Sequence, residues 1–306
     1  MPQHYAKFPK TLEEQVALLQ SRGLWVADTQ VACQKISEIN YYRFCGYGLF
    51  FEEFDKGKRL DRFKRGTQFG DILSLCEWDT SLQQLLWKGL SWFEVALRSV
   101  LNYEMSVEHK DPFWYANEQL FLKADVVDEF KKYCKAEKDA FLQNHNRGKE
   151  VFLRSYWQKY DGDLLPCWIL AEILSFGKWS RLLGRLKKSQ AIDRVAKHFQ
   201  MPSYYLPTLT HSLSTLRNRC AHHNQLWNRI LSAPPELPSK LRSIGMASNR
   251  LGVVLCVLLE VMRADMEKRQ AFIDELKILL KKCPQDFSQA LGMSWEQVRR
   301  YTQAKF

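Results

Sequence analysis

With 306 residues, 46% hydrophobic and 13% aromatic, the chain holds ample apolar material for a packed core, which excludes a disordered protein. Its 45 Lys and Arg against 34 Asp and Glu leave a formal net charge of +11. Such an excess favours polyanionic partners, nucleic acid first and an anionic membrane surface second, over a basic surface that is merely solvated.

In chain order, helical patterns dominate. The opening MPQHYAKFPK has no apolar stretch of the kind that directs secretion. Thr11 and Glu14 stand at capping-box spacing before Leu12, Val16 and Leu19, and Gly23 suits a helix stop. Asp28 is placed to cap a second helix running to about Asn40. Over 39–54, INYYRFCGYGLFFEEF, strand and irregular structure compete. From Asp79 to about Met105, Leu82, Leu86, Leu90, Phe93, Leu97 and Leu101 recur at spacings of three and four, which predicts a long amphipathic helix. Glu94 and Arg98 are positioned on it to form a surface pair. Further helices are expected at 124–143, 166–187, 190–199, 206–230, 248–281 and 294–303, and no strand of any length.

The longest apolar run, LGVVLCVLLEVM at 251–262, is shorter than the roughly 20 residues of a membrane span. It also contains Glu260, so it predicts a buried helix and no membrane partner. The poorest stretches for structure are 144–150 (NHNRGKE) and 233–240 (APPELPSK). The second, with three prolines in eight residues, marks a boundary. The expected organisation is all-α: an N-terminal helical segment over 1–60, a helical core over 61–232, and a C-terminal helical segment over 241–306. LGMSWEQVRRY at 291–301 also fits the second helix of a small helix-turn-helix. Eight cysteines lie far apart without a CxxC pair, as expected of reduced thiols in a cytoplasmic protein rather than of a disulfide or zinc module.

Two stretches are strongly basic. KGKRLDRFKR, 56–65, carries six Lys/Arg against one Asp, with Lys58, Arg59, Arg62 and Arg65 as candidate RNA contacts. In KWSRLLGRLKK, 178–188, Lys178, Arg181, Arg185 and Lys188 fall at spacings of three, four and three. That is one helical stripe suited to a phosphate backbone, or an amphipathic helix whose wet face is cationic.

The most chemical stretch is LRNRCAHHNQLWNR, 216–229. Leu206, Leu209, Leu213, Leu216, Cys220, His223, Trp227 and Ile230 form a seam of alternating three- and four-residue spacings. His223 falls in that seam and is expected to be a hydrogen-bonded core residue. His222 and Asn218 share the opposite face, where the asparagine side chain can hold the imidazole in one tautomer. Arg217 lies about 140° from His222 on an ideal helix. The two meet only if the arginine reaches around, the helix distorts, or two copies of it come together. Histidine moves protons near neutral pH, and a guanidinium matches phosphate oxygens. The pair suits cleavage of RNA, whose 2′-hydroxyl is an internal nucleophile, with no metal and no cofactor. A metal site from Cys220, His222 and His223 would converge poorly on one ion.

RNRCAHH resembles the Arg-x4–6-His signature of HEPN-type helical ribonucleases. INYYRFCGY (39–47), FKRGTQFGDILSLCEWDTSLQQLLWKGLSWFEVALR (63–98) and WILAEILSFGKWSRLL (168–183) look like further blocks of the Abi-like (abortive infection, AbiD/AbiF-type) family within that group. The resemblance covers roughly 10–230. It implies a HEPN-like helical bundle and a metal-independent endoribonuclease that leaves a 2′,3′-cyclic phosphate and a 5′-hydroxyl. It further implies a homodimer whose paired motifs build a composite site, and a role in bacterial phage defence, in some members with a structured noncoding RNA. Carried over by position, Arg217 and His222 match the signature and Asn218 its polar position. Some proteins of this fold have lost activity, so a non-catalytic protein that holds such an RNA is the alternative. Residues after about 235 match no pattern of the family.

Overall fold

The computed structural model describes residues 8–143, 150–236 and 249–303. Most of the stretch at 144–150, and 237–240 of the boundary at 233–240, lie outside those residues. Among the described residues there are fourteen α-helices and one two-stranded sheet. The fold is all-α.

The first helices begin as their capping residues dictate. α1 (Leu12–Ser21) carries a complete capping box: Glu14 N–H donates to Thr11 Oγ1 at 3.2 Å, and Thr11 N–H to Glu14 Oε2 at 2.8 Å. Gly23, at φ +90°, ends it. α2 (Thr29–Ile39) starts at Asp28, whose Oδ1 accepts from Gln30 N–H at 2.8 Å and Val31 N–H at 3.0 Å. The aromatic stretch then resolves as a helix, α3 (Tyr41–Gly48).

A hairpin follows, contrary to the expectation of no strand. β1 (Glu52–Asp55) and β2 (Lys58–Phe63) are antiparallel. Both turn residues, Lys56 at φ +46° and Gly57 at φ +80°, are left-handed, the requirement of a tight two-residue turn. The strands are almost wholly charged, so no hydrophobic alternation announces them. Opposite charges support them instead, through Arg59–Glu52 and Arg62–Glu53.

The scaffold is α4 (Phe69–His109), 41 residues and so about 60 Å long at 1.5 Å per residue. Its apolar face (Leu82, Leu86, Leu90, Phe93, Leu97, Leu101) is fully buried. α5 (Asp125–Gln143) and α6 (Val151–Lys159) come next. The segment expected as one helix over 166–187 is two, α7 (Cys167–Ile173) and α8 (Phe176–Leu183), because Leu174 and Ser175 are extended. α9 (Gln190–His198) and α10 (Leu206–Ala221) pack on α4.

The 248–281 expectation also divides. α11 (Leu251–Val261) gives way to α12 (Met266–Lys281) at Asp265, which accepts Lys268 N–H at 3.0 Å and starts a new helix. α11 is buried along its length except at Glu260, as the apolar run required. α13 (Phe287–Leu291) and α14 (Trp295–Gln303) close the chain. Val298 and Tyr301 of α14 are buried, and the Tyr301 hydroxyl donates to Cys256 O at 2.9 Å. One core runs from Val16 to Tyr301. Among the described residues, no helix is long and apolar enough to cross a membrane.

Candidate functional site

The predicted helix over 206–230 stops at Ala221. His222 is its C-cap and His223 follows at φ +53°. His223 N–H donates to Cys220 O at 3.1 Å and Asn224 N–H to Arg219 O at 2.9 Å. This pair of bonds is the Schellman closure, with a histidine in the left-handed position where glycine is usual. Beyond it, Leu226 and the seam's Trp227 are buried without being helical.

The cause sits on α4. Asp79, fully buried, accepts Leu226 N–H at 3.0 Å and Trp227 N–H at 2.8 Å. A continued helix would have given those donors to its own carbonyls. The Tyr47 hydroxyl at 2.7 Å and Gln83 Nε2 at 3.1 Å also donate to Asp79. Burial raises the Asp79 carboxyl above the usual range, and the four donors work against that shift. Burial likewise raises the Tyr47 phenol, with Asp79 adding to the effect. Gln83 reaches Asn224 O at 3.2 Å, and Arg43 donates to His223 O. The turn after the motif is therefore pinned from α3 and α4 together.

This geometry corrects three expectations. His223 is exposed rather than a core residue, because the left-handed turn swings it out of the seam. Ile230 is 61% exposed for the same reason. Asn218 does not hold the His222 ring: its backbone carbonyl accepts His222 N–H at 3.0 Å, and its side-chain oxygen accepts from Arg217 Nη1 at 3.4 Å.

Arg217 is organised by residues that the motif does not contain. Its Nε donates to Glu94 Oε2 at 2.9 Å, and its guanidinium lies 5.2 Å from the Trp87 ring centroid. Glu94 is buried, and Arg98 approaches it at 4.0 Å while donating to Ala171 O at 2.7 Å. The Glu94–Arg98 pair expected at the surface is thus the interior end of an Arg98–Glu94–Arg217 chain. His222 is exposed, and Cys220, two residues back, is buried. Beside them a cavity of about 520 Å³ is lined by Gln83, Gln84, Trp87 and His223. The structure brings Arg217 to Asn218 within the last turns of α10, and His222, its C-cap, is exposed.

Glu94, Trp87 and Asp79 were missing from the motif reading, yet two of them left a signal. Glu94 falls four after Leu90 and three before Leu97, and Asp79 three before Leu82. A carboxylate in phase with an apolar face must find donors inside.

The two basic stretches fare differently. Lys178 pairs with Glu129 at 3.1 Å, Arg181 with Glu129 at 2.8 Å, and both Arg181 and Arg185 with Asp125 at 3.7 Å. The stripe is partly neutralised by α5, two carboxylates meeting three of its four cations, and its helix ends at Leu183, so Arg185 and exposed Lys188 lie beyond it. On the hairpin, Arg59 and Arg62 are paired with Glu52 and Glu53, whereas Lys58 and Arg65 are exposed without an ion pair among the described residues.

The sequence pattern of a family described as Abi-like protein matches residues 34–228, well over half of the chain. The chain belongs to the Abi-like protein family. The match runs from α2 through α4 and α10 to the Asp79-bound turn, so it contains every residue of the site just described. No match was found among curated proteins or among solved structures. The helices after 250 of this Abi-like chain lie beyond the matched region. The family's name associates the chain with abortive infection, the arrest of phage-infected bacteria.

Proposed function

We propose that the chain is a metal-independent endoribonuclease of the HEPN type, serving phage defence. One observation carries the reading: His222 stands exposed at the C-cap of α10, five residues after an Arg217 already oriented by Glu94 and Trp87. In this reading the substrate's 2′-oxygen attacks the adjacent phosphorus and the P–O5′ bond breaks. The products are a 2′,3′-cyclic phosphate and a 5′-hydroxyl. His222 moves the proton, and Arg217 neutralises the charge that builds on the phosphoryl oxygens. A single imidazole cannot both accept and donate at once. Pairing of two copies, each bringing its α10 end, supplies a second imidazole and completes a composite site.

The test is incubation of purified protein with RNA in EDTA. Cleavage that ends in cyclic phosphate and is lost in Arg217→Ala and His222→Ala supports the reading. Cleavage absent from the native protein, or undiminished in folded variants, removes it. A second reading, a non-catalytic holder of a structured RNA, is favoured by the engagement of Arg217 with Glu94, which ties up part of the guanidinium. Tight, salt-sensitive RNA binding without scission distinguishes it.

A further inference from the structure

A cavity of about 660 Å³ lies on the side of the pinned turn that faces the hairpin and the C-terminal helices. Its floor is Gln225–Arg229, the segment that begins three residues after His222. Its walls are the end of α3 and the hairpin (Phe50, Glu52, Phe54, Lys64), and Arg250 and Gln289 from the C-terminal region. Arg229, Arg250 and Gln289 lie outside the segment matched by the family, so the cavity is assembled partly from this chain's own additions.

Three cations line it, and each is held only by neutral acceptors. Lys64 Nζ donates to Phe50 O at 2.9 Å, Arg229 Nη2 to Gln225 Oε1 at 2.6 Å, and Arg250 Nη1 to Asn228 Oδ1 at 2.9 Å. None has a carboxylate partner among the described residues. The one lining carboxylate, Glu52, is buried and engaged through both oxygens by Arg59. This contrasts with the α8 stripe, where Lys178, Arg181 and Arg185 each have a carboxylate partner in Asp125 or Glu129. The charge here is positive, preoriented and unspent.

Aromatic rings supply the other half of the site. Phe54 is 52% exposed on the hairpin, and Phe50 packs edge-on against Trp227 with centroids 5.3 Å apart. The Trp227 indole N–H has no acceptor among the described residues. Gly46 leaves the room: a Cβ there would stand 3.0 Å from Gln225 Oε1, the atom that holds Arg229. A concave site of this size, with convergent donors and apolar rings, matches small-ligand pockets in general. Phosphate oxygens suit the arginine forks, and a planar heterocycle suits the rings.

We infer that this cavity binds a nucleoside phosphate, and that the bound phosphate fixes Asn228 and Arg229 and so steadies the turn that carries His222. The nucleotide comes either free or as one unit of a bound RNA strand. The binding itself does not depend on the ribonuclease reading, and its test needs no cleavage.

The experiment is titration calorimetry on full-length His222→Ala protein with nucleoside 5′-monophosphates, a tetranucleotide RNA, adenosine and inorganic phosphate. Arg250→Gln and Phe54→Ala, both at solvent-accessible positions, are titrated alongside, with circular dichroism as the check on folding. The expected result is saturable nucleotide binding that weakens at least tenfold in each variant and falls with added salt. Binding of monophosphates identifies a free ligand, and binding of the tetranucleotide alone identifies a strand. Nucleotide affinity unchanged in both variants, or absence of binding by monophosphates and tetranucleotide alike, overturns the inference. Inorganic phosphate binding as tightly as a nucleotide overturns its nucleoside part. Loss of cleavage in the native protein with this binding intact would remove the ribonuclease reading alone.

Discussion

Arg217 shows how little of a side chain's setting is written in its own motif. Its position depends on Glu94 and Trp87, more than 120 residues upstream. Arg217→Lys keeps the charge but loses the planar fork and the ring contact. Cleavage in EDTA is expected to fall at least ~100-fold, on the scale of a lost general acid–base or electrostatic group. Glu94→Gln leaves Arg98 and Arg217 close together with no carboxylate between them. Removing one member of a largely buried, hydrogen-bonded group is expected to cost about 2 kcal/mol, measured by urea unfolding, and to reduce cleavage in protein that remains folded. Arg217, His222 and Asn218 stand out in the sequence by residue type and spacing. The bond from Asn218 to Arg217 rather than to His222 was not, because a helical wheel assumes that the helix continues.

The elements were legible where local chemistry decides them and illegible where a distant group overrides it. Capping by Thr11 and Asp28 is local and was legible, whereas the cap at Asp265 lay hidden inside a continuous helical pattern. The end of α10 is not local: the three-four seam runs on through Trp227, but Asp79 takes the amide hydrogens that would have extended the helix. The hairpin escaped notice because charge pairing, not apolar alternation, holds it. Asp79→Ala is therefore expected to act on the turn more than on the helices. It leaves the Leu226 and Trp227 amides unsatisfied inside the protein, at a cost of about 3 kcal/mol. The matching observation is faster limited proteolysis within 222–230, with helical circular dichroism retained. A second expectation concerns the union of α11 with the α13–α14 pair. A Cβ on Gly252 would stand 2.7 Å from Met293 Cβ and 3.0 Å from Leu291 O. Gly252→Ala is expected to destabilise by about 1–3 kcal/mol through overpacking, seen as a lowered Tm.

At the scale of the whole molecule, the all-α class and the buried 251–262 segment follow from periodicity and composition, whereas the charge of +11 does not say which cations are left without carboxylate partners. Much of the basic stripe on α8 is cancelled by α5, and sequence spacing within one helix cannot reveal what faces it. The interior also sets the response to alkali. Burial pushes the Cys76 and Cys220 thiols from 9.0 up to about 12, and Cys283 up to about 11. These thiols keep their protons in the folded state after the unfolded chain has released its own. Stability is therefore fully present below about pH 9 and declines as pH rises toward 12. Cys220→Ala is expected to flatten that decline in urea titrations at pH 8, 9 and 10. The thiols of Cys76 and Cys220 should also resist disulfide reagents at pH 8 until the protein unfolds.

Both anchors of the site stand on one rod. Asp79 grips the turn after His222, Glu94 grips Arg217, and the fifteen-residue step between them on α4 acts as a fixed ruler of about 22 Å. Point substitutions alter one mark on that ruler. Insertion or deletion of a single residue between 80 and 93 rotates one mark against the other by about 100°, so the turn and Arg217 would no longer both be held even though every side chain named here was still present.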